Sequence, residues 1–286
     1  MNINEAKKST ISFEFFPPKT EKGLKPFESV TAELAALQPD FMTITYGAGG
    51  STRDKTLSIA ADMVERTGIP IAAHLTFIGT PKDELRLITD ELWNSGVRHL
   101  IALRGDMPED LNWPLDTDAE YFQYTSDFVE GLKEWHDFEI SVGAYPEKHP
   151  DAPSLDADIA ALKLKCEAGS DRAITQYFFD NEIYYKFVEQ CRAAGIQTPI
   201  TPGLLPIHDF KSMVSFSKRC QTQVPSWLFE KFEGLEDKPE TALKLAEELL
   251  VEQVLDLARN GVEHFHFYTL NKTGIITQAC KALGRG

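Results

Sequence analysis

Polar and ionisable side chains stand at the ends of several short apolar segments of this sequence. Glu14 lies inside the run Ser12–Pro18 (SFEFFPP), and an Arg-Gly-Asp triplet at 104–106 follows another apolar segment. Burying a polar group is costly unless the group is paired or takes part in chemistry. The polar residues at such segment ends therefore predict a functional site. They are Glu14, Thr45, Tyr46, His74, Thr76, Arg104, Asp106, Tyr145, Glu147, His149, Gln176, His266 and Tyr268.

Glu14 offers the most specific chemistry of this set. Its neighbours Phe13, Phe15 and Phe16 predict partial desolvation, which raises the pKa of a carboxyl group towards neutrality. A carboxylic acid with such a pKa can donate a proton to a substrate at neutral pH. A buried glutamate paired with a nearby arginine or lysine fits the same residues, and the sequence alone leaves both interpretations open.

Two other patterns are less specific. Arg104 and Asp106 place opposite charges on either side of Gly105, whose small size lets the backbone approach a ligand, but a structural ion pair fits equally well. His264 and His266 fall on one face of a predicted strand, a spacing that could bind a metal ion. Since no aspartate or cysteine lies beside them, we expect no metal site. A metal-dependent barrel hydrolase that uses the two histidines is the alternative function.

Eight β-rich runs alternate with stretches of helical spacing. The predicted strands are Ile11–Phe16, Phe41–Tyr46, Pro70–Phe77, His99–Leu103, Glu139–Tyr145, Arg172–Phe179, Pro199–Leu204 and Phe265–Leu270. Between them, apolar residues recur every three to four positions, as in Leu24–Leu37, and glycines such as Gly68 and Gly96 follow the helices. Eight βα units predict an α/β fold, a (β/α)8 TIM barrel, as a single domain over residues 1–286.

Barrel geometry decides where the polar residues should meet. Active sites of such barrels lie at the C-terminal ends of the strands, which is where most of these residues fall. A doubly wound sheet is the alternative fold. It is disfavoured because residues 47–52 (GAGGST) lack the glycine spacing of a dinucleotide-binding loop, and the sequence contains no Walker phosphate-binding loop.

The composition excludes several classes of protein. With 29 basic against 44 acidic residues, the net charge of −15 disfavours binding to nucleic acid or to anionic membranes. No apolar run reaches the roughly 20 residues of a membrane-spanning helix, and the N-terminus does not read as a signal peptide. The four cysteines form no Cys-x-x-Cys pair and predict reduced thiols on helices. We therefore expect a soluble, cytoplasmic protein.

Eight short motifs occur in order along the chain. They are FEFFPP at 13–18, TITYG at 43–47, AHLT at 73–76, ALRGD at 102–106, AYPExHP at 144–150, ITQYFFD at 174–180, PG at 202–203 and HFYTLN at 266–271. Together they resemble the bacterial methylenetetrahydrofolate reductases, from about residue 10 to about residue 280.

The resemblance implies a barrel that binds FAD and uses NADH or NADPH as electron donor. In the family's ping-pong reaction the nicotinamide product leaves before methylenetetrahydrofolate accepts the hydride and becomes 5-methyltetrahydrofolate. The resemblance also implies a homo-oligomer, often a tetramer. Eukaryotic relatives add a C-terminal regulatory domain, and none is expected in this chain.

Site residues follow from the matching motifs. Glu14 matches the family's general acid, and Asp106 matches a carboxylate between flavin and folate. The substrate-binding residues implied are Asp106, Gln176, Phe216 and Lys272. The FAD-binding residues implied are Thr45, Tyr46, His74, Arg104, Gly105, Asp106, Tyr145, His149, Asp158 and Lys165. His264 and His266 then become structural residues.

Two positions depart from the family pattern. Lys272 stands where relatives often have arginine, so that a forked contact to the folate tail would become a point charge. Ala161 stands where some relatives have a polar residue near the FAD adenosine. The acidic loop Met107–Asp118 is assigned only as a cover over the site. A barrel that binds a flavin or a pterin without turnover is the third hypothesis, which the presence of Glu14, Asp106 and Gln176 at separate strand ends disfavours.

Overall fold

The computed structural model of the chain describes residues 9–45, 53–107 and 120–286. Its strands are β1 (Thr10–Phe15), β2 (Phe41–Ile44), β3 (Ile71–Thr76), β4 (His99–Leu103), β5 (Glu139–Ala144), β6 (Arg172–Thr175), β7 (Ile200–Thr201), β8 (Gly203–Leu204) and β9 (His264–Tyr268). Its helices are α1 (Leu24–Ala35), α2 (Arg53–Thr67), α3 (Lys82–Asn94), α4 (Thr125–Trp135), α5 (Leu155–Glu167), α6 (Asn181–Ala193), α7 (Phe210–Cys220), α8 (Ser226–Phe232), α9 (Pro239–Arg259) and α10 (Gly274–Ala282).

The strands form one parallel sheet in the order β7-β6-β5-β4-β3-β2-β1-β9-β8. Each strand from β1 to β6 is followed by at least one helix, and neighbours in sequence are neighbours in the sheet, so the sheet curls into a barrel with helices outside. The predicted (β/α)8 TIM barrel is confirmed. The sixth strand is shorter than predicted, because it ends at Thr175 rather than at Phe179.

The seventh predicted strand, Pro199–Leu204, is split by Pro202, which has no N–H to donate to a neighbouring strand. The part before the proline, β7, pairs with β6, and the part after it, β8, pairs with β9. One short segment therefore joins both edges of the sheet. The carbonyl of Pro202 keeps a ladder contact, since His266 N donates to it at 3.1 Å.

The two faces of each strand meet different surroundings. On β1, Phe13 and Phe15 are fully buried on the outer face, where the ring of Phe15 packs edge-on against Phe27 of α1. Ser12 and Glu14 alternate with them and face the barrel interior, because successive side chains of a strand point to opposite faces. The outer layer therefore supplies most of the apolar core, while the interior is free to carry polar groups.

Three other sequence predictions can be compared with the fold. The glycines that follow the helices have positive φ, as a helix C-terminus favours; they are Gly68, Gly96, Gly169, Gly195 and Gly261. The four cysteines are free thiols on helices, as expected, and Cys191 and Cys280 are buried. Within residues 9–45, 53–107 and 120–286, no helix has the length and apolar character needed to span a membrane.

Gly203 tests how tightly the split segment is packed. A Cβ at this position would lie 2.1 Å from the Thr175 carbonyl oxygen and 2.6 Å from a ring carbon of Tyr268. We expect Gly203→Ala to lower the free energy of unfolding by about 2 kcal/mol or more, because β8 would have to move away from β6. Urea denaturation measures this change. The control is Gly274→Ala on α10, where no atom lies within 4 Å of the new methyl group and stability should hold or rise. Equal stability of both variants would contradict the packing argument.

Candidate active site

A cleft of about 450 Å³ lies at the C-terminal ends of the barrel strands. It is lined by polar residues from separate strand ends and by apolar residues from the barrel wall, among them Leu103 and Ile174. Eight of the predicted site residues line it: Glu14, Thr45, His74, Asp106, Tyr145, Gln176, Phe216 and Tyr268. We call it the central cleft. The structure thus brings together residues that are more than 200 positions apart in the sequence.

A second cleft, of about 700 Å³, lies beside the central cleft between the ends of β4 and β5 and the helices α4 and α5. Five predicted FAD-binding residues line it: Arg104, Tyr145, His149, Asp158 and Lys165. We call it the lateral cleft. Because Tyr145 lines both, the two clefts adjoin, and one elongated molecule could occupy both of them. Ala161, which departs from the family pattern, also faces the lateral cleft.

The cationic groups of the lateral cleft already have partners. Arg104 Nη2 lies 2.7 Å from Asp151 Oδ2, an ion pair that the sequence did not reveal. Lys165 Nζ donates to the Gly143 carbonyl at 2.6 Å, and burial lowers the pKa of Lys165 although Asp158 opposes the shift. The Oδ2 atom of Asp158 accepts a hydrogen bond from His149 N at 2.7 Å, which fixes the loop after β5 against α5.

Gly105 shapes the end of β4 between two charged residues. Its φ is +94°, and a Cβ there would lie 3.0 Å from the Cβ of Thr76. A side chain would therefore meet both backbone strain and a packed neighbour. The turn directs Asp106, which is exposed, to the central cleft and Arg104 to the lateral cleft.

Glu14 lies at the inner end of the central cleft between two imidazoles. Its Oε2 atom lies 3.3 Å from His74 Nε2 and 3.6 Å from His266 Nε2. The phenylalanines beside it do not surround it, because Phe13 and Phe15 lie on the opposite face of β1 and Phe16 is 40% exposed. The partners are imidazoles from β3 and β9 rather than the arginine or lysine that the sequence also allowed.

The pKa of Glu14 moves in the direction opposite to the one expected from the sequence. Burial raises it, but the charges and hydrogen bonds of His74 and His266 outweigh burial and lower the pKa of Glu14 to about 2. The expectation of a raised pKa was therefore wrong. Burial also lowers the pKa of His266, whereas Glu14 raises it. The carboxyl group of Glu14 and the imidazole of His266 are thus coupled, and the protonation of one changes the pKa of the other.

Among the cofactor- and substrate-binding residues that the resemblance implies, Gly105 and Lys272 line neither cleft. Burial, together with the charge of Lys272, lowers the pKa of His208 to about 4. Tyr46 lies outside the described residues, and so does the loop predicted as a cover from residue 108 onward.

Sequence reasoning missed several residues of the site. Tyr177 lines the central cleft, and its ring stacks on Phe216 with centroids 5.9 Å apart. Gln123 lines the lateral cleft, and its buried Oε1 has no hydrogen-bond partner among the described residues. Tyr268, by contrast, was predicted from its place at a strand end, which is a usable signal, and its hydroxyl donates to the Thr175 carbonyl at 2.7 Å. Gln123 precedes a helix and carries no such signal.

The histidine pair on β9 lacks further metal ligands within the described residues. His264 and His266 are separated by the hydroxyl of Ser12, which lies 2.8 Å from a ring nitrogen of each. In the part of the chain that the structure describes, no three His, Cys, Asp or Glu side chains cluster as metal ligands would. The metal-dependent hydrolase that the sequence left as an alternative therefore gains no support.

The coupling between Glu14 and His266 can be measured. The carboxylate of Glu14 stabilises a positive charge on His266, so Glu14→Gln should lower the pKa of His266 further. NMR titration of ¹⁵N-labelled histidine rings follows this shift. Asp40→Asn is the matched control, because Asp40 raises the pKa of His264 in the same way. This variant should lower the pKa of His264 and leave the pKa of His266 unchanged. An unchanged His266 titration in Glu14→Gln would show that the two groups are not coupled.

Comparison with known proteins places this geometry in a family. A family model described as Methylenetetrahydrofolate reductase matches residues 1–284. The 5,10-methylenetetrahydrofolate reductases of Pectobacterium carotovorum subsp. carotovorum and Escherichia coli (strain K12) are each 43% identical to the chain over 274 residues, which cover 96% of this chain and 90% of each relative. Methylenetetrahydrofolate reductase (NADH) 1 of Arabidopsis thaliana is 34% identical, and the match covers 94% of this chain and 47% of that protein.

Two solved structures share the barrel at low sequence identity. An uncharacterized protein from Clostridium thermocellum that binds two copies of 5-methyl-5,6,7,8-tetrahydrofolic acid matches with a TM-score of 0.63 at 17% identity, over 96% of this chain and 94% of that one. The dihydropteroate synthase from Xanthomonas albilineans matches with a TM-score of 0.52 at 12% identity, over 97% and 91%. These likenesses concern the fold, whereas the sequence matches reach further: the chain belongs to the methylenetetrahydrofolate reductase family and is an oxidoreductase of folate one-carbon metabolism.

Proposed function

We propose that this chain reduces 5,10-methylenetetrahydrofolate to 5-methyltetrahydrofolate, with NADH or NADPH as electron donor and FAD as the carrier, in a ping-pong sequence. The observation that carries the proposal is Glu14 at the inner end of an apolar cleft, within 3.3 Å and 3.6 Å of two imidazoles. A group that holds and releases a proton is thus placed where a flat heterocyclic substrate would bind.

FAD fits the two adjoining clefts by the chemistry of their linings. The lateral cleft offers Arg104 and Lys165 for a diphosphate, and the unpartnered Oε1 of Gln123 can accept a hydrogen bond from a nucleotide amino or hydroxyl group. When bound, FAD accepts a hydride from the nicotinamide and delivers it to the folate. Arg104 would exchange Asp151 for the diphosphate, since an ion pair on an exposed carboxylate is held weakly.

The chemistry of the substrate explains why a proton donor such as Glu14 is needed. The methylene carbon bridges two nitrogens and accepts a hydride poorly until the five-membered ring opens to an iminium. Ring opening needs a proton on the leaving nitrogen, and Glu14 is the acid that we assign to it.

The low pKa of Glu14 belongs to the open cleft, and a bound ligand changes the surroundings that set this pKa. Flat ligands in the cleft would exclude water from Glu14, His74 and His266. Burying a carboxylate costs more than burying a neutral carboxyl group, so exclusion of water favours the protonated form of Glu14. Glu14 would then be protonated when the substrate covers it.

Other side chains would orient the ligands. Asp106 is exposed at the end of β4, where it can contact the folate pterin. Gln176 and Phe216 also line the central cleft, and both are assigned to the folate and, in the other half-reaction, to the nicotinamide. Lys272 stays a candidate for the folate tail. Organisation as a single barrel domain and assembly into a homo-oligomer, a tetramer by resemblance, belong to the same proposal.

The cofactor can be tested by its colour. The purified protein, supplemented with FAD, should be yellow, lose its colour anaerobically on addition of NADH or NADPH, and recover it when methylenetetrahydrofolate is added. Anaerobic absorption spectroscopy records all three states. A protein that stays colourless with added FAD, or whose bleached flavin ignores methylenetetrahydrofolate, would contradict the proposed function.

Glu14→Gln separates the two half-reactions. The amide cannot supply the proton for ring opening, so flavin reduction by NADH should persist while folate reduction falls by about 100-fold or more. Stopped-flow absorbance measures both rates. Glu147→Gln is the control: Glu147 is another half-buried strand-end glutamate, whose Oε2 accepts a hydrogen bond from Gln223 N at 3.0 Å outside the central cleft. If Glu14→Gln slowed both half-reactions equally, the acid assignment would be refuted.

A further inference from the structure

The barrel interior carries a ladder of polar side chains on β1 and β9. Thr10 is in register with His264, and Ser12 is in register with His266. Because strand side chains alternate, these four residues and Glu14 line the interior from one end of the barrel to the other. Branched aliphatic residues fill the interior of most barrels of this kind, and a polar layer in their place is costly unless it is paired or used.

The ladder is hydrogen-bonded almost without interruption. His264 Nε2 lies 2.8 Å from Ser12 Oγ, and the same oxygen lies 2.8 Å from His266 Nδ1. Ser12 and His266 are fully buried. His266 Nε2 has no hydrogen-bond partner among the described residues and faces Glu14 Oε2 at 3.6 Å. A neutral imidazole that donates from Nδ1 to Ser12 presents a lone pair at Nε2, so it can share the proton of the carboxyl group opposite.

The other end of the ladder reaches solvent. His264 Nδ1 lies 2.7 Å from Thr10 Oγ1 and 3.3 Å from Asp40 Oδ2. These three residues line a cavity of about 830 Å³ at the N-terminal mouth of the barrel, and the Asp40 side chain is 42% exposed. The ladder therefore connects water at one mouth of the barrel with Glu14 near the other.

We propose that Asp40, His264, Ser12 and His266 conduct protons from the N-terminal mouth of the barrel to Glu14. This inference rests on the proposed function, because Glu14 is ionised in the open cleft and needs a proton for each folate it reduces. The path reaches Glu14 from the side opposite to the central cleft, so it stays open while flat ligands cover the cleft. Glu14 is the catalytic residue, and the other four groups act through it.

The proton movements balance. Before transfer, each imidazole carries its proton on Nε2: His264 donates to Ser12, Ser12 donates to His266 Nδ1, and His266 faces the Glu14 carboxylate. The Asp40 carboxylate takes a proton from water and passes it to His264 Nδ1. His264 Nε2–H then passes its proton to Ser12, Ser12 passes its own to His266 Nδ1, and His266 Nε2–H passes its own to Glu14. One O–H or N–H bond forms for each that breaks, and nothing is oxidised. Exchange of the two imidazole tautomers restores the starting arrangement.

The charges around His264 keep it able to take up and release a proton. Burial lowers the pKa of His264 most, Asp40 raises it through a hydrogen bond, and Arg172 on β6 lowers it. The ring of Phe41 stacks on His264 with centroids 5.5 Å apart and shields it from the rest of the interior. The other titratable groups around the ladder are His74, His99, His266, Glu14, Tyr268 and Arg285.

Ser12→Ala tests the path, with Ser141→Ala as its matched control. Ser141 is an equally buried interior serine that contacts His99 Nε2 at 2.8 Å, away from Glu14. Both variants lose one hydroxyl and one or two hydrogen bonds of the same kind. With pre-reduced holoenzyme and methylenetetrahydrofolate, Ser12→Ala should slow flavin reoxidation about tenfold or more, while flavin reduction by NADH is unchanged. Ser141→Ala should retain both rates.

Chemical rescue separates proton transfer from a structural role and does not depend on the folding of Ser12→Ala. His264→Ala enlarges the cavity at the N-terminal mouth, so added imidazole should enter it and restore flavin reoxidation. The rescued rate should rise with the concentration of imidazolium. The double variant His264→Ala, Ser12→Ala should not respond, because the path is broken further in.

The outcomes distinguish the path from the function on which it rests. Equal reoxidation rates in Ser12→Ala and Ser141→Ala, or a His264→Ala variant that is fully active or insensitive to imidazole, would overturn the proton path while the wild-type protein still reduces methylenetetrahydrofolate. A wild-type protein whose reduced flavin is not reoxidised by methylenetetrahydrofolate would overturn the proposed function itself.

Discussion

The contact of one carboxyl group with two imidazoles is the constraint on which the rest of the site depends. Glu14, His74 and His266 come from three strands, and their separations of 3.3 Å and 3.6 Å hold only if β3, β1 and β9 keep their register. A charged group in a barrel interior needs such partners, because the desolvation that surrounds it favours neutrality. The barrel thus fixes the chemistry of Glu14 through strand register, and not through the residues next to it in the sequence.

Most of the fold could be predicted, because its signals are local. Alternating β-rich and helical segments, separated by glycines, indicate a (β/α)8 barrel without any long-range information. The split at Pro202 was readable in principle, since proline cannot donate within a ladder, yet its effect depends on which strands lie on either side. The sixth strand already ends at Thr175, and no local pattern of Arg172–Phe179 reveals that end.

The sequence predicted most of the residues that form the site, but it did not predict the pKa shift of Glu14. Strand ends meet at one face of a barrel, so residues such as Asp106 and Gln176 could be placed in a common cleft from topology alone. The shift in the pKa of Glu14 could not be predicted, because the direction of that shift depends on His74 and His266, which lie far from Glu14 in the sequence. The neighbouring phenylalanines misled the prediction: alternation along β1 turns them to the outer face. Asp151 and Gln123 lie on loops, where no periodicity identifies them.

The alternation along β1 and β9 has a consequence for how this barrel tolerates change. The outward phenylalanines, such as Phe13, Phe265 and Phe267, are fully buried between sheet and helices, while the inward positions between them carry hydroxyl, carboxyl and imidazole groups. The side chains that stabilise the fold and those that could take part in the reaction therefore lie on opposite faces of the same strands. In the evolution of such barrels, the inward-facing residues could be substituted, which would change the reaction, while the outward-facing residues that keep the protein folded stay the same.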